Sequence, residues 1–211
     1  MELGGKASAV VLDDADVQKA GQQCALGSFL HSGQICMSTE RILVHKDIKP
    51  EFVQAFTSAV ENIFGASEAP VLINAAGAQK NKDLVSKAVK QGANVLYGDY
   101  EKQELHPETK EESNTRLRPI IVDGVSKDMD LYYAESFGPS VSLIEISSDE
   151  EAIQIANDTE YGLSGAIFTE NLARGIRIAK QIESGYVRPE SFRSPVLVKA
   201  RNADCSAVLS I

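Results

Sequence analysis

The sequence lacks the features that mark secreted, zinc-binding or membrane proteins. It has only three cysteines among 211 residues and no Cys-x-x-Cys pair, so neither a disulfide framework nor a zinc site is indicated. No apolar run approaches the length of a membrane span, and the N-terminus lacks the charged and apolar regions of a signal peptide. We therefore predict a cytoplasmic protein.

Positive charge is also scarce. Lysine and arginine number 21 against 30 aspartates and glutamates, which gives a net charge of −9 at pH 7. Such a protein repels the phosphate backbone of a nucleic acid and is disfavoured at an anionic membrane surface. The composition therefore excludes nucleic acid and membrane as expected partners.

Phosphate-binding loops are missing as well. No G-x-G-x-x-G or P-loop pattern follows any predicted strand, and Gly4-Gly5 alone is too short a signal. The sequence therefore offers no recognisable site for the adenosine end of a dinucleotide.

The size and the order of elements predict one large α/β domain. A chain of this length with 43% hydrophobic residues can bury a substantial core. Apolar or β-rich runs alternate with helical patterns, which predicts a three-layer structure with a largely parallel sheet and helices on both faces. The apolar or strand segments are 9–12, 42–44, 94–97, 117–122, 140–146 and 165–169, and the helices are 13–30, 52–63, 79–91, 149–157 and 172–182.

Cys36 stands out by its setting. A lone cysteine is more often a small buried hydrophobe than a catalyst. Here Gly33 allows a tight turn between a helix and the strand at 42–44, which places the thiol on the rim of the sheet. We interpret Cys36 as a nucleophile, Cys24 as a structural residue of a small-residue helical stripe, and Cys205 as an incidental free thiol.

Four motifs occur in one order along the chain. They are E-L-G-G-K at 2–6, G-Q-I-C at 33–36, E-S-F-G-P at 135–139 and N-D-T-E-Y-G-L-S at 157–164. With these motifs the sequence resembles the aldehyde dehydrogenase superfamily, over residues 2 to about 187. The resemblance implies oxidation of a small aldehyde to a carboxylic acid, with NAD or NADP as cofactor, through a thiohemiacetal and a thioester.

The resemblance also implies roles for individual residues. Cys36 carries the nucleophilic sulfur, its backbone N–H helps to hold the oxyanion, and Glu2 is the general base that activates water. Glu135 binds the nicotinamide ribose hydroxyls, Phe137 packs beside the ring, and Gly4 belongs to the cofactor-binding set.

Each assignment has a simpler alternative. Glu2 could be a solvated charge near a chain end, Glu135 a loop acceptor and Phe137 a core residue. His31 stands where the family often has asparagine, and we do not expect it to be the base. Gly33 and Gly138 serve a tight backbone under either interpretation.

The substrate class is suggested by residues 25–41. This run is most similar to family members acting on aromatic aldehydes such as salicylaldehyde or vanillin. Ile35 and Met37 flank the nucleophile and would form an apolar wall for a ring. The alternative is that both side chains pack in the core.

The end of the chain departs from the family pattern. We predict a catalytic domain at 1–187 and a poorly ordered tail at 188–211, where no helical or strand period is visible. The family is homo-oligomeric, but its oligomer-forming strand and its nucleotide-binding domain are not recognisable. Two hypotheses follow: a working aldehyde dehydrogenase, or a non-catalytic remnant that interacts with full-length relatives.

Overall fold

Strands of one sheet form the frame of the protein. The computed structural model describes residues 4–66, 68–102, 114–191 and 194–195. Within these ranges the strands are β1 (Ala7–Val11), β2 (Thr39–His45), β3 (Asn94–Tyr97), β4 (Ile120–Asp123), β5 (Ser140–Ile146), β6 (Ser164–Phe168), β7 (Tyr186–Ser191) and β8 (Ser194–Pro195).

Helices connect most of the strands. They are α1 (Val17–Phe29), α2 (Lys49–Val60), α3 (Ala75–Lys90), α4 (Asp130–Tyr133), α5 (Asp149–Asn157) and α6 (Leu172–Ala179). A turn with left-handed backbone at His31–Gly33 follows α1, and a π-type turn at Glu61–Gly65 follows α2.

The sheet is largely parallel, as predicted. Its strand order is β3-β4-β5-β2-β1-β6-β7-β8. Neighbours from β4 to β7 pair in parallel, and only β3 and β8, at the two edges of the described sheet, pair antiparallel to their neighbours. Parallel strands need crossover connections, which the helices provide.

Both faces of the sheet are covered, which confirms the three-layer prediction. Because side chains alternate along a strand, Ala9 and Val11 of β1 pack with α1 and α2 on one face. Val10 lies on the opposite face, in a core that includes side chains of α3, α5 and α6. The central strands are buried on both faces, which explains their continuous apolar sequences.

Capping residues set the helix starts. Asp16 accepts a hydrogen bond from the Lys19 N–H at the start of α1, and Ser148 accepts one from Glu151 at the start of α5. The predicted start of α3 at residue 79 was wrong. Asn74 caps this helix from Ala75 by accepting from the Gly77 N–H, which offsets the low helix propensity of glycine.

The segment around residue 116, just before β4, is held by contacts with residues 69–71. Residues 103–113 lie outside the described ranges. Arg116 forms a β-bridge with Val71 and donates to the Ala69 carbonyl at 2.6 Å. This pairing holds Leu117 beside Pro70, so β4 begins only at Ile120.

Strand β7 continues beyond the predicted end of the family resemblance. No strand period was visible after Val187, yet β7 runs to Ser191 in register with β6. Pairing with a neighbour fixes this strand, and such pairing leaves no local sequence period. The domain boundary at 187 stays a prediction, and residues 196–211 lie outside the described ranges. No helix in the described part of the chain is long and apolar enough to cross a membrane.

An arginine ties three carboxylates at the carboxyl ends of the strands. Arg174 of α6 lies 2.6 Å from Asp149, 2.7 Å from Asp13 and 3.1 Å from Asp14. Hydrogen bonds from Arg174 hold the pKa values of Asp149 and Asp13 below their ordinary value of 3.8. The charged carboxylates are therefore stabilised in the folded protein.

We expect Arg174→Met to lower the free energy of unfolding at pH 7 by about 2 kcal/mol, because Asp149 loses its main partner in a half-buried cluster. A depressed carboxyl pKa contributes stability above about pH 3.8 that is lost as pH falls through the folded-state value. Urea unfolding at pH 7 and pH 3 tests this. A deficit of equal size at both pH values would contradict the electrostatic origin.

Candidate active site

Four loops bring the sequence motifs to one edge of the sheet. Gly4-Gly5 precedes β1, Cys36 precedes β2, Glu135 precedes β5 and Tyr161 precedes β6. These strands are parallel neighbours, so their amino ends lie together. The predicted position of Cys36 on the rim is confirmed. This rim is opposite to the carboxyl edge where α/β sheets usually bind ligands.

Cys36 lies in a tight turn. The Ser38 N–H donates to the Ile35 carbonyl at 2.8 Å, which leaves Cys36 and Met37 in the middle of the turn. Cys36 is half-buried, and Met37 is 49% exposed, so Met37 does not pack in the core. The thiol is therefore on an accessible loop beside an exposed apolar side chain.

The backbone before this turn is unusual. His31, Ser32 and Gly33 are all left-handed, with φ values of 50°, 61° and 69°. A Cβ added at Gly33 would lie 2.2 Å from the Gly138 carbonyl oxygen, so glycine is required for both conformation and space. The predicted tight backbone at Gly33 is confirmed. His31 is exposed.

Gly5 joins the Cys36 turn to Glu135. A Cβ added at Gly5 would lie 2.2 Å from the Cys36 carbonyl oxygen, so the two backbones are in direct contact. The Gly5 N–H donates to Glu135 Oε1 at 2.6 Å. Glu135 therefore acts as the loop acceptor that the simpler alternative required, and at the same time lies beside the Cys36 turn.

Gly4 lies between Glu135 and Tyr161. Its φ is 68°, and an added Cβ would lie 2.8 Å from Tyr161 Cε1 and 3.3 Å from Glu135 Oε2. Burial, with the negative charge of Glu135 as the next cause, raises the pKa of Tyr161. Glu2, the predicted base, lies outside the described residues.

The loop from Glu135 to Pro139 is held by hydrogen bonds to a side chain of α3. Asn81 of α3 donates to the Ser136 carbonyl at 3.0 Å and accepts from Ser140 at 2.7 Å. A Cβ at Gly138 would lie 2.2 Å from Asn81 Nδ2, which confirms the tight backbone predicted there. Phe137 is half-buried with a φ of 47°, an uncommon conformation for an aromatic residue.

Sequence reasoning gave no role to a buried ion pair beneath the site. Lys6 Nζ lies 2.7 Å from Glu40 Oε2, with side chains 1% and 5% exposed. Burial lowers the pKa of Lys6, and the charge of Glu40 opposes that shift. The sequence did contain a signal for this pair: Lys6 and Glu40 are charged residues at the starts of β1 and β2, and the residues that follow them in these strands are mostly apolar.

Sequence reasoning also gave no role to Arg41, another charged residue directly before the apolar run of β2. Its side chain is completely buried and donates to the carbonyls of Lys6, Ile155, Ala156 and Asp158 at 3.1–3.2 Å. Two of these carbonyls belong to the last turn of α5, where a cation is favoured. Arg41 thus holds the loop that leads to Tyr161.

The other cysteines differ from Cys36. Cys24 is buried in the α1 face of the core, and burial raises the pKa of its thiol. This confirms its structural assignment and makes it a poor nucleophile. Cys205 lies outside the described residues. Among the residues described, no three His, Cys, Asp or Glu side chains are placed to hold a metal ion.

A profile of the aldehyde dehydrogenase family matches residues 1–194. The chain belongs to the aldehyde dehydrogenase family. This confirms the predicted resemblance, and the family match continues seven residues past the predicted boundary at 187.

Individual aldehyde dehydrogenases agree with this assignment. Vanillin dehydrogenase of Pseudomonas fluorescens is 37% identical over 191 residues, which are 88% of this chain and 37% of that protein. A salicylaldehyde dehydrogenase from Pseudomonas putida G7, solved in complex with salicylaldehyde, has a TM-score of 0.80 and 34% identity, covering 90% of this chain and 39% of that one. An indole-3-acetaldehyde dehydrogenase solved with NAD+ has a TM-score of 0.80 and 30% identity, with coverages of 92% and 39%.

The chain therefore spans less than two fifths of the length of these relatives. The predicted similarity to dehydrogenases of aromatic aldehydes is confirmed. The cytoplasmic location and the homo-oligomeric state stay predictions.

Proposed function

We propose that this chain carries the catalytic cysteine of an NAD- or NADP-dependent aldehyde dehydrogenase. The observation that supports this most is the double contact of Gly5, which packs against the Cys36 carbonyl and donates to Glu135. It brings the proposed nucleophile and the proposed cofactor-binding residue into one cluster of direct contacts.

The chemistry starts at Cys36. Its thiolate attacks the electrophilic aldehyde carbon, forming a C–S bond and moving the carbonyl electron pair onto oxygen. The backbone N–H of Cys36 is the proposed donor to that oxyanion. A half-buried thiol in a loop at the sheet rim is accessible to a small aldehyde, whereas the buried Cys24 is not.

The residues around Glu135 suit a nicotinamide ribose. One carboxylate oxygen is held by the Gly5 N–H at 2.6 Å, and a carboxylate can accept several further bonds from ribose hydroxyls. Gly4 leaves room beside this carboxylate that a Cβ would fill. Glu135 would bind the hydroxyls of the nicotinamide ribose, and Phe137 would contact the nicotinamide ring. When bound, the nicotinamide supplies the hydride acceptor.

The last step returns the free enzyme. Glu2 would take a proton from water, which attacks the thioester carbon on Cys36 and releases the carboxylic acid and the thiol. The substrates we propose are aromatic aldehydes. This is based on the similarity to vanillin and salicylaldehyde dehydrogenases and on the exposed Met37 beside the nucleophile.

Covalent capture tests the assignment of the nucleophile. After incubation of the Glu2→Gln variant, in which the thioester is not hydrolysed, with 4-nitrophenyl acetate, we expect mass spectrometry to find one acetyl group, on Cys36. The attacking thiolate would displace nitrophenolate and leave a thioester, while Cys24 stays unmodified because burial raises its pKa. Equal labelling of Cys24 or Cys205 would contradict the proposal. No labelling at all would favour the non-catalytic alternative.

A further inference from the structure

The Lys6–Glu40 ion pair has no part in the chemistry proposed above. Both side chains are at least nine-tenths buried, and their charged atoms are 2.7 Å apart. Removing two charges from water is costly and is offset only when further hydrogen bonds satisfy the remaining donors and acceptors. The location of those further bonds indicates what the pair does.

Among the described residues, every additional side-chain hydrogen bond of the pair goes to one loop, residues 134–137. Lys6 Nζ donates to the Ala134 carbonyl at 2.7 Å. Glu40 accepts from the Ser136 N–H at 2.8 and 2.9 Å and from the Phe137 N–H at 2.9 Å. The bonds therefore grip the backbone on both sides of Glu135.

Phe137 shows why this loop needs support. A left-handed aromatic residue is strained and persists only when its surroundings impose the conformation. The charge-assisted bond from its N–H to Glu40 is stronger than a bond between neutral groups. The pair thus stabilises a loop shape that the local sequence does not favour.

Both residues of the pair are also close in sequence to residues that form or contact the Cys36 turn. Lys6 directly follows Gly5, which contacts the Cys36 carbonyl, and Glu40 lies in β2 just after the Cys36 turn. A shift of either charged residue therefore changes the distance between the Cys36 turn and the Glu135 loop.

We propose that Lys6 and Glu40 are positioning residues that set Glu135 and Phe137 against the Cys36 turn for binding of the nicotinamide ribose. This inference rests on the proposed function, which gives Glu135 its role. The pair does not touch the reacting atoms. It acts through the backbone of residues 134–137.

The test uses the full chain with both charges removed together, as Lys6→Met with Glu40→Gln. This double variant leaves no unpaired buried charge, so it is the version most able to fold. Glu40→Gln alone is the second variant, because glutamine keeps the shape of Glu40. Asp123→Asn is the matched control, since it removes another ion pair, Lys49–Asp123 at 2.9 Å, at the opposite edge of the sheet.

Amide hydrogen exchange is measured by NMR at Gly5, Ser136 and Phe137. We expect exchange at all three to rise at least about tenfold in the double variant, while amides in the middle of β1 are unchanged. Gly5 is the decisive probe, because its N–H reports the position of the Glu135 side chain and does not contact either mutated residue's charge. The control should leave all three amides protected.

Nicotinamide mononucleotide is then titrated, because it carries the nicotinamide ribose without adenosine. We expect its affinity to fall about tenfold in the double variant and not in the control. Protection of Gly5 that survives in both the double and the single variant would overturn the positioning role. Faster amide exchange throughout β1 would also overturn the positioning role, because it would show that the ion pair stabilises the fold in general.

The two proposals fail separately. If the wild-type chain does not bind the mononucleotide, the cofactor assignment fails, and the exchange of Gly5 still decides whether the pair positions Glu135. If the wild type binds and the double variant binds equally well, the positioning role fails and the proposed function stands.

Discussion

Under the proposed function, alanine at position 36 should lower aldehyde-dependent formation of NADH or NADPH by at least about 10³-fold, with vanillin or salicylaldehyde as the test substrate. Loss of the nucleophile removes the covalent route entirely, which corresponds to about 4 kcal/mol or more of transition-state stabilisation. The same variant should reduce the cleavage of 4-nitrophenyl acetate to the background rate. Initial rates with both substrates measure the effect.

The matched control is Cys24→Ala. Cys24 is buried in the core on the α1 side of the sheet, and burial raises the pKa of its thiol, so its replacement should change stability slightly and leave the rates within about twofold. Activity that survives Cys36→Ala but not Cys24→Ala would reverse the assignment. The rates of Cys36→Ser, which keeps a weaker nucleophile, should fall close to those of Cys36→Ala.

Methionine at position 41 should lower the free energy of unfolding by about 4 kcal/mol. The Arg41 guanidinium is completely buried and satisfies four backbone carbonyls, at Lys6, Ile155, Ala156 and Asp158. Each buried acceptor left without a donor costs about 1–3 kcal/mol. The guanidinium also lies 5.7 Å from the centre of the Tyr132 ring, a contact that methionine cannot replace.

Lysine should not rescue this position, because one ammonium cannot reach the spread of carbonyls that a planar guanidinium serves. Arg177→Met is the control. Arg177 is 51% exposed and bonds a carboxylate that Arg174 also serves, so its loss should cost less than about 1 kcal/mol. Urea unfolding curves of the three variants decide the matter. A wild-type midpoint for Arg41→Met would show that Arg41 is not needed to hold the end of α5.

Helices and strands whose ends are marked by neighbouring residues could be predicted from the sequence. The predicted bounds of β3, β5 and α5 agree with the structure. Gly92 and Gly98, both with positive φ, frame β3, and Ser148 caps α5. These signals act within a few residues, so they are visible in the sequence.

The support of the site was not predictable in this way. Lys6 and Glu40 are 34 residues apart, and Glu40 bonds the backbone of Ser136 across 96 residues. No local period encodes such pairings. The motifs predicted Cys36 and Glu135 as site residues, and this stays a prediction. The contact of Gly5 with both depends on the order of β2, β1 and β5 in the sheet, which the sequence left open.

The proposed site lies at the amino ends of the parallel strands, and this arrangement separates it from the other end of the sheet. Lys46 is exposed just after β2, whose seven residues place it about 20 Å from the Cys36 turn. A biosensor could therefore attach the protein to a support through the Lys46 side and keep the thiol facing the solution. Attachment near Met37 would instead block access to the thiol.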